Sequence, residues 1–415
     1  MVHRMNGLIR NVLFVTLFML MVFSVLTPMV YGKSIGKSLS GGNSKSCSFD
    51  LKVRLLMLLA HMPSLSACIV KNSTIVWSKT YGFSSLFPPR KARDGTLYMI
   101  GSVSKTVTAT ALMQLYEKGL FDLDDDVSEY LPFVLRNPRY PDVNITFRML
   151  LTHMSSLNDY CLYGGGFLPF LLTLPFIEDR GFWIKENLLP DGRFYSSMYW
   201  ESFPPGTKFH YSTVGFVVLA YLVECLSNQP FEEYCQENIF EPLHMFSTGF
   251  HLKDVNRWKT ARPYIWVKGF FVPVPRYDAG VFSPAGGIWM NIGDLSHFLI
   301  AHMNGGVYNG RRIIIEETVE LMHTIQYPDM SEDFYGIDVK YGLGWLYINT
   351  SGGLYGGYNG GAPGFLCSMY TGTGDKSNVG VIYLSNCKFK LSNATIKPII
   401  EIGEILFQKA EEIDV

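Results

Sequence analysis

The chain has 415 residues, 48% hydrophobic and 17% charged, with a formal net charge of −1. That length accommodates one large or two ordinary domains with a substantial core. Near-neutrality argues against nucleic acid as a partner, because phosphate binding takes a basic excess, and no run of like charges suggests a polybasic membrane tether.

Arg4 and Arg10 precede an uncharged apolar run over residues 12–32. Residues 1–32 read as a signal peptide, or as a signal anchor, since about 20 apolar residues can span a bilayer. Both readings put the remainder outside the cytosol, either secreted or membrane-anchored, with membrane association through this N-terminal segment in the second case. Residues 33–49, rich in Lys, Ser and Gly, read as a flexible linker. Their two Gly-Lys-Ser triplets do not make a phosphate loop, because Tyr31 stands where the first glycine belongs. Seven cysteines leave at least one unpaired within the chain, and without a Cys-x-x-Cys a zinc ribbon is disfavoured. Acceptor sequons at Asn72, Asn144, Asn349 and Asn393 make the chain a glycoprotein if its host glycosylates.

Residues 49–61 read as a helix. Residues 66–71 and 74–82 read as strands joined by a tight turn at Asn72-Ser73. Residues 97–115 begin strand-like and pass into a buried helix carrying Val107, Leu112 and Leu115. The acidic cluster at residues 122–126 is a solvated turn, not a calcium loop, because Val127 replaces the turn glycine and Phe133 the closing glutamate. Residues 145–157 read as a helix ending in a polar turn. Residues 164–176 are apolar but broken by Pro169 and Pro175, too short to cross a membrane. They form either a buried loop and helix or a lid near the substrate that touches lipid. Residues 211–225 make an apolar helix and residues 231–240 an amphipathic one. Asn291 or Asp294 starts a further helix. Strand-like runs at residues 343–349, 366–371 and 379–384 precede a last helix at 396–411. The order is α+β: an antiparallel sheet flanked by N- and C-terminal helices, with an inserted, mainly helical region. Residues 50–125 and 275–415 form the α/β sheet domain, and residues 126–274 the helical insertion.

Chemistry centres on Ser102-Val103-Ser104-Lys105. A helix starting here puts Ser102 in its first turn with Lys105 on the same face. A serine hydroxyl needs a neighbour to take its proton, and a desolvated lysine can do so. The helix N-terminus supplies N–H groups to a developing oxyanion. No Gly-x-Ser-x-Gly elbow occurs, which counts against a Ser-His-Asp hydrolase of that type.

Ser102-x-x-Lys105, then Tyr211-Ser212-Thr213, then residues 357–365 containing Tyr358-Asn359-Gly360-Gly361, occur in an order similar to that of the serine β-lactamase and penicillin-binding-protein-like hydrolases, in particular their class C branch. Residues 149–157, 204–212, 231–250 and 341–345 resemble further strings of that family. The resemblance runs over about residues 50–410. It implies the β-lactamase/transpeptidase-like fold, an acyl-enzyme on Ser102, Lys105 assisting deprotonation, and Tyr211 as general base and then acid. It implies an oxyanion hole from the N–H groups of Ser102 and Gly361, substrate contacts from Thr213, Tyr358, Asn359 and Gly360, and no metal or organic cofactor. Two positions depart from the family. Thr213 stands where asparagine is usual, and Tyr358 where lysine or histidine is usual. Without that fixed charge, a neutral ester, amide, peptide-like or lipid-like acyl substrate is expected rather than an anionic β-lactam. The alternative is a catalytically weak homologue that serves as a binding or scaffold protein. His153 and His210 are expected to have packing or hydrogen-bond roles.

Overall fold

A computed structural model describes residues 44–160, 179–334, 336–350, 352–388 and 393–414. The apolar segment at residues 164–176 and the N-terminal run lie outside the described residues. The chain divides into two compact units, Met1–Lys52 and Val53–Val415; apart from the first residues of helix α1, every feature described below belongs to the second.

Helix α1, Ser44–Leu59, buries Val53, Leu56 and Met57 and leads into the sheet. It begins earlier than the expected residue 49. Strands β1 (Ser64–Lys71) and β2 (Thr74–Leu86) form the expected hairpin. Asn72 and Ser73 both take positive φ, as a twist-matched two-residue turn demands. After β3 (Pro89–Lys91) the chain leaves the sheet. It makes helices α2 (Ser104–Glu117), α3 (Phe147–Leu151), α4 (Arg180–Leu188), α5 (Thr213–Ser227) and α6 (Phe231–Cys235). A hairpin of β4 (Tyr264–Val267) and β5 (Phe270–Pro273) follows, then α7 (Ile292–Met303) and α8 (Glu316–His323). The tail returns as β6 (Glu332–Phe334), β7 (Ile337–Tyr341), β8 (Leu346–Thr350), β9 (Gly353–Ala362), β10 (Phe365–Gly372) and β11 (Val379–Ser385), and ends in α9 (Asn393–Glu411).

These strands assemble one nine-stranded antiparallel sheet in the order β6-β7-β8-β9-β10-β11-β1-β2-β3. N- and C-terminal sequence therefore meet within it, where β1 pairs with β11 from Leu65–Ser385 to Lys71–Val379. Opposite faces of β11 receive different helices. Gly380 leaves room for Leu299 and Met303 of α7, whereas Tyr383, three residues on, donates its hydroxyl to the Ile399 carbonyl of α9. Helix α2 is buried from Ser104 to Leu115 and packs against α5, so apolar and small residues on every side replace an amphipathic pattern.

Two expected helices come out differently. Residues 145–157 contain only the short α3, capped by the Thr146 hydroxyl and ended before His153, which adopts φ +60°. Residues 231–240 begin as α6 and continue as a π-helical turn, Gln236–Phe240. Among the described residues five cysteines are free (Cys68, Cys225, Cys235, Cys367 and Cys387), and all of these but Cys225 are buried. Among the described residues no single helix is long and apolar enough to cross a membrane.

The helical region is tied by one buried cation. Arg180 of α4 is 4% exposed and pairs with both Glu224 of α5 and Glu232 of α6. Removing one member of a buried ion cluster leaves the rest uncompensated. Arg180→Ala should lower the unfolding free energy by about 3 kcal/mol, read as an earlier denaturant midpoint at unchanged slope.

Candidate active site

The site forms where α2 begins beneath the end of β9. Ser102 lies in a 3-10 turn, Gly101–Val103, immediately before α2 rather than within it. Gly101 takes φ +55°, and a side chain there would collide with the Gly361 nitrogen at 2.6 Å. From the other side, a Cβ on Gly360 would sit 1.9 Å from the Ile100 carbonyl oxygen and 3.2 Å from the Ser102 nitrogen. Glycine at both positions lets strand and turn touch backbone to backbone, which brings the main chain of Ser102 and Gly361 to one place.

Lys105, the second residue of α2, has no solvent exposure. Its ammonium donates to Ser102 Oγ at 3.2 Å and to the Ala285 carbonyl at 2.7 Å, and it lies 5.0 Å from the Tyr211 ring centroid. Burial pulls its pKa down to about 7, opposed by the negative charge of Asp159. Tyr211, just before α5, donates its hydroxyl to Ser102 Oγ at 2.8 Å. Thus three residues from two separate parts of the chain share one hydroxyl, and Ser102 and Tyr211 remain half-exposed.

Behind Tyr211 runs a directed chain of hydrogen bonds. His153 is buried, and its Nδ1 accepts the Ser212 N–H at 3.1 Å. Burial, then the Lys105 and His210 charges, hold this imidazole well below the usual histidine range, so it is neutral. A neutral ring accepting at Nδ1 carries its proton on Nε2. That N–H therefore donates to the Tyr358 hydroxyl, 2.9 Å away. Tyr358, 1% exposed, is held protonated by burial and is hydrogen-bonded to Tyr211. With its oxygen occupied by His153, Tyr358 points its proton at Tyr211.

Asp159 carries no obvious sequence signal. It is buried, accepts the N–H groups of Thr213 and Val214 at 2.7 and 3.0 Å and the Ser212 hydroxyl at 3.3 Å, and so caps α5. The only hint is an aspartate shortly after the polar turn at residues 154–157. Of the other expected contacts, Thr213 stands half-buried at the first position of α5 with its N–H taken by Asp159. Gly360 faces Ile100 and Ser102. Asn359, one residue out of phase with Tyr358, turns its side chain to the opposite sheet face and accepts a hydrogen bond from Ser368 Oγ at 2.8 Å. Only its main chain faces the turn. His210 pairs instead with Glu201 at 3.1 Å.

A large antiparallel sheet, with a Ser-x-x-Lys helix and a tyrosine converging on the serine, defines the penicillin-binding and β-lactamase class of fold. The chain belongs to the Beta-lactamase family, whose family model matches residues 53–400. It is 29% identical over 263 residues to "Putative beta-lactamase-like 1" of Homo sapiens, covering 62% of this chain and 49% of that protein. It is 26% identical over 322 residues to a "Putative D-alanyl-D-alanine carboxypeptidase" of Escherichia coli, covering 68% of each. The chain spans about half the length of the first curated relatives it matches. Among solved structures, the octameric penicillin-binding protein homologue from Pyrococcus abyssi superposes with a TM-score of 0.68 at 25% identity, covering 88% of this chain and 77% of that one. D-amino acid amidase from Ochrobactrum anthropi gives 0.68 at 19% identity, covering 88% and 99%, and speaks for the fold alone. The family is one of hydrolases, and the carboxypeptidase and the amidase are hydrolases by name.

Burying Lys105 costs stability. Its folded pKa lies below its unfolded value, so between pH 7 and about 10 the unfolded chain binds more protons and stability rises with pH. Lys105→Met should therefore stabilise the fold at pH 6, by on the order of 3 kcal/mol. The gain should shrink as pH climbs toward 10. Denaturant titrations at the two pH values check this, and a gain independent of pH would contradict the buried-amine account.

Proposed function

We propose that the protein is a serine hydrolase that forms an acyl-enzyme on Ser102 and acts on a neutral ester, amide or peptide-like carbonyl. The observation that carries this reading is the Ser102 hydroxyl, within hydrogen-bond reach of both Tyr211 at 2.8 Å and Lys105 at 3.2 Å. In this reading the Tyr211 phenolate, assisted by a neutral Lys105, takes the serine proton as Oγ attacks the carbonyl carbon. The oxyanion of the tetrahedral intermediate rests on the N–H groups of Ser102 and Gly361. Tyr211 then returns the proton to the departing alcohol or amine. A water molecule, deprotonated by Tyr211, then attacks the acyl carbon; the bond to Oγ breaks, Tyr211 returns the proton to Oγ, and the acid departs. In this reading Tyr358, itself oriented by His153, keeps a hydrogen bond on the Tyr211 oxygen while that oxygen exchanges the serine proton.

Substrate charge follows from the same residues. Tyr358 brings no cation to the position where the family commonly has one, and its hydroxyl is spent on Tyr211 and His153. Burial brings Lys105 to neutrality near physiological pH. Little is then left to hold a substrate carboxylate, which supports a neutral acyl group over a β-lactam.

Intact-mass analysis after exposure to a fluorophosphonate or an activated ester tests the reading. Wild type should gain one acyl or phosphonyl group, and Ser102→Ala none. Folded wild type that takes up no probe and turns over no activated ester supports the weak-homologue, scaffold reading instead. The acylation rate should rise with pH through about 7 as Lys105 loses its proton. Asp159 raises the Lys105 pKa, so Asp159→Asn should move that limb to lower pH. Tyr211→Phe should cost about a hundredfold or more. Tyr358→Phe and His153→Gln should each cost about tenfold, visible as a smaller acylation rate at unchanged fold.

A further inference from the structure

We infer that the face built by residues 82–93 and 255–277 docks onto an anionic lipid bilayer. Those two segments contain eight basic residues, namely Arg90, Lys91 and Arg93 in the first and Arg257, Lys259, Arg262, Lys268 and Arg276 in the second. Neither contains an aspartate or glutamate, in a chain whose net charge is −1. The nearest acids in sequence, Asp94, Asp254 and Asp278, adjoin the segment ends and accept from the Thr80 hydroxyl and the His251 and Leu252 N–H groups, so eight cations stand against three carboxylates and the face keeps a basic excess.

The two segments are laced into one surface. Arg90 donates to the Trp258 and Thr260 carbonyls, Arg262 to the Phe87 carbonyl at 3.1 Å, and Arg276 to the Thr260 carbonyl at 3.1 Å. Leu86 N–H is bound by the Tyr264 hydroxyl at 2.8 Å. These guanidiniums meet carbonyls, and no carboxylate pairs with them among the described residues. After burial, the charges of Arg90 and Arg262 depress the Arg276 pKa, as expected of like charges gathered without a counter-ion. Such a cluster lowers its energy by meeting anions.

Aromatic and aliphatic side chains stand among the cations. Trp258 is 86% exposed and Phe87 57%. The β4–β5 hairpin, turned at Lys268-Gly269, exposes Val267, Phe270 and Val272. Trp266 of this hairpin stacks on His61 at 4.1 Å, which continues the apolar surface to the end of α1, where Leu58 and Leu59 are exposed. Basic side chains beside exposed tryptophan and phenylalanine match the headgroup layer of a bilayer, where aromatic rings settle and each lysine or arginine adds attraction to anionic lipid. A nucleic acid would meet the charges but leave the hairpin's apolar tip in water. The root of the face lies beside the cleft: Tyr277 donates its hydroxyl to the Pro363 carbonyl at 3.1 Å, in the turn that follows Gly361 and Ala362.

Residues 12–32 are themselves apolar, so the test must read this face locally. Full-length protein is footprinted with hydroxyl radicals in the presence of phosphatidylcholine vesicles, with and without phosphatidylserine. Oxidation of Trp258, Trp266 and Phe270 should fall at least about threefold with phosphatidylserine, while Phe194 and Met198 on the helical region stay as reactive as before. Lys91→Glu combined with Lys259→Glu and Lys268→Glu should abolish that protection. These three ammonium groups make no hydrogen bond or ion pair among the described residues, so the fold should be retained, checked by an unchanged unfolding midpoint. Unchanged oxidation of the three aromatics, an equal fall at Phe194, or equal protection by heparin without vesicles would each overturn the inference.

Discussion

Lys105 is an amine sealed from water beside the Ser102 hydroxyl. Keeping an ammonium there is unfavourable, and the rest of the site consists of what makes the position tolerable. The Ala285 carbonyl and the serine hydroxyl accept its protons. The Tyr211 and Phe216 rings present their faces to it. Asp159, at the start of α5, contributes a negative charge that partly offsets the burial. The residual imbalance leaves an amine with a pKa of about 7, the range that the proposed proton transfer asks of it.

The same constraint explains the architecture around it. An all-buried helix can carry that lysine only if neighbouring layers cover every side. Helix α5 lies against α2 on one side, and the one-turn helix Ser283–Gly286 supplies the carbonyl on another. The sheet closes the site through β9, whose Gly360 presses on the Ile100 carbonyl. A strand of ordinary residues could not approach so closely, so the glycines at residues 356–361 serve proximity rather than flexibility.

Tyr358 shows how a changed residue is absorbed. A lysine at this position would bring a second ammonium to the site. Tyrosine instead joins a chain running from the Ser212 N–H through His153 to Tyr211, with every proton placed by the one before it. The ionisable groups nearest Ser102 are then an amine with a lowered pKa and phenols, the feature on which the proposed preference for an uncharged acyl group rests.

Much of this was legible in the linear chain. Ser102, Lys105 and Tyr211 stand out because they sit in dense local strings, and the hairpin, α2, α5 and the β10–β11 pair follow from apolar period and turn residues. Strand β9 was not legible from propensity, since a run of glycines has no alternation and is held by its neighbours. No sequence pattern marked the β4–β5 hairpin. Its apolar side chains face outward, which no local pattern distinguishes from burial. The roles of Asp159 and His153 depend on contacts with residues more than fifty positions away, so no window of sequence contains them. Sequence alone determined which residues carry reactive groups and the order in which they appear. Tertiary structure decided which of these groups touch, which nitrogen of His153 bears the proton, and that Asn359 faces away, because those outcomes depend on packing directions that exist only once the sheet and helices have closed on each other.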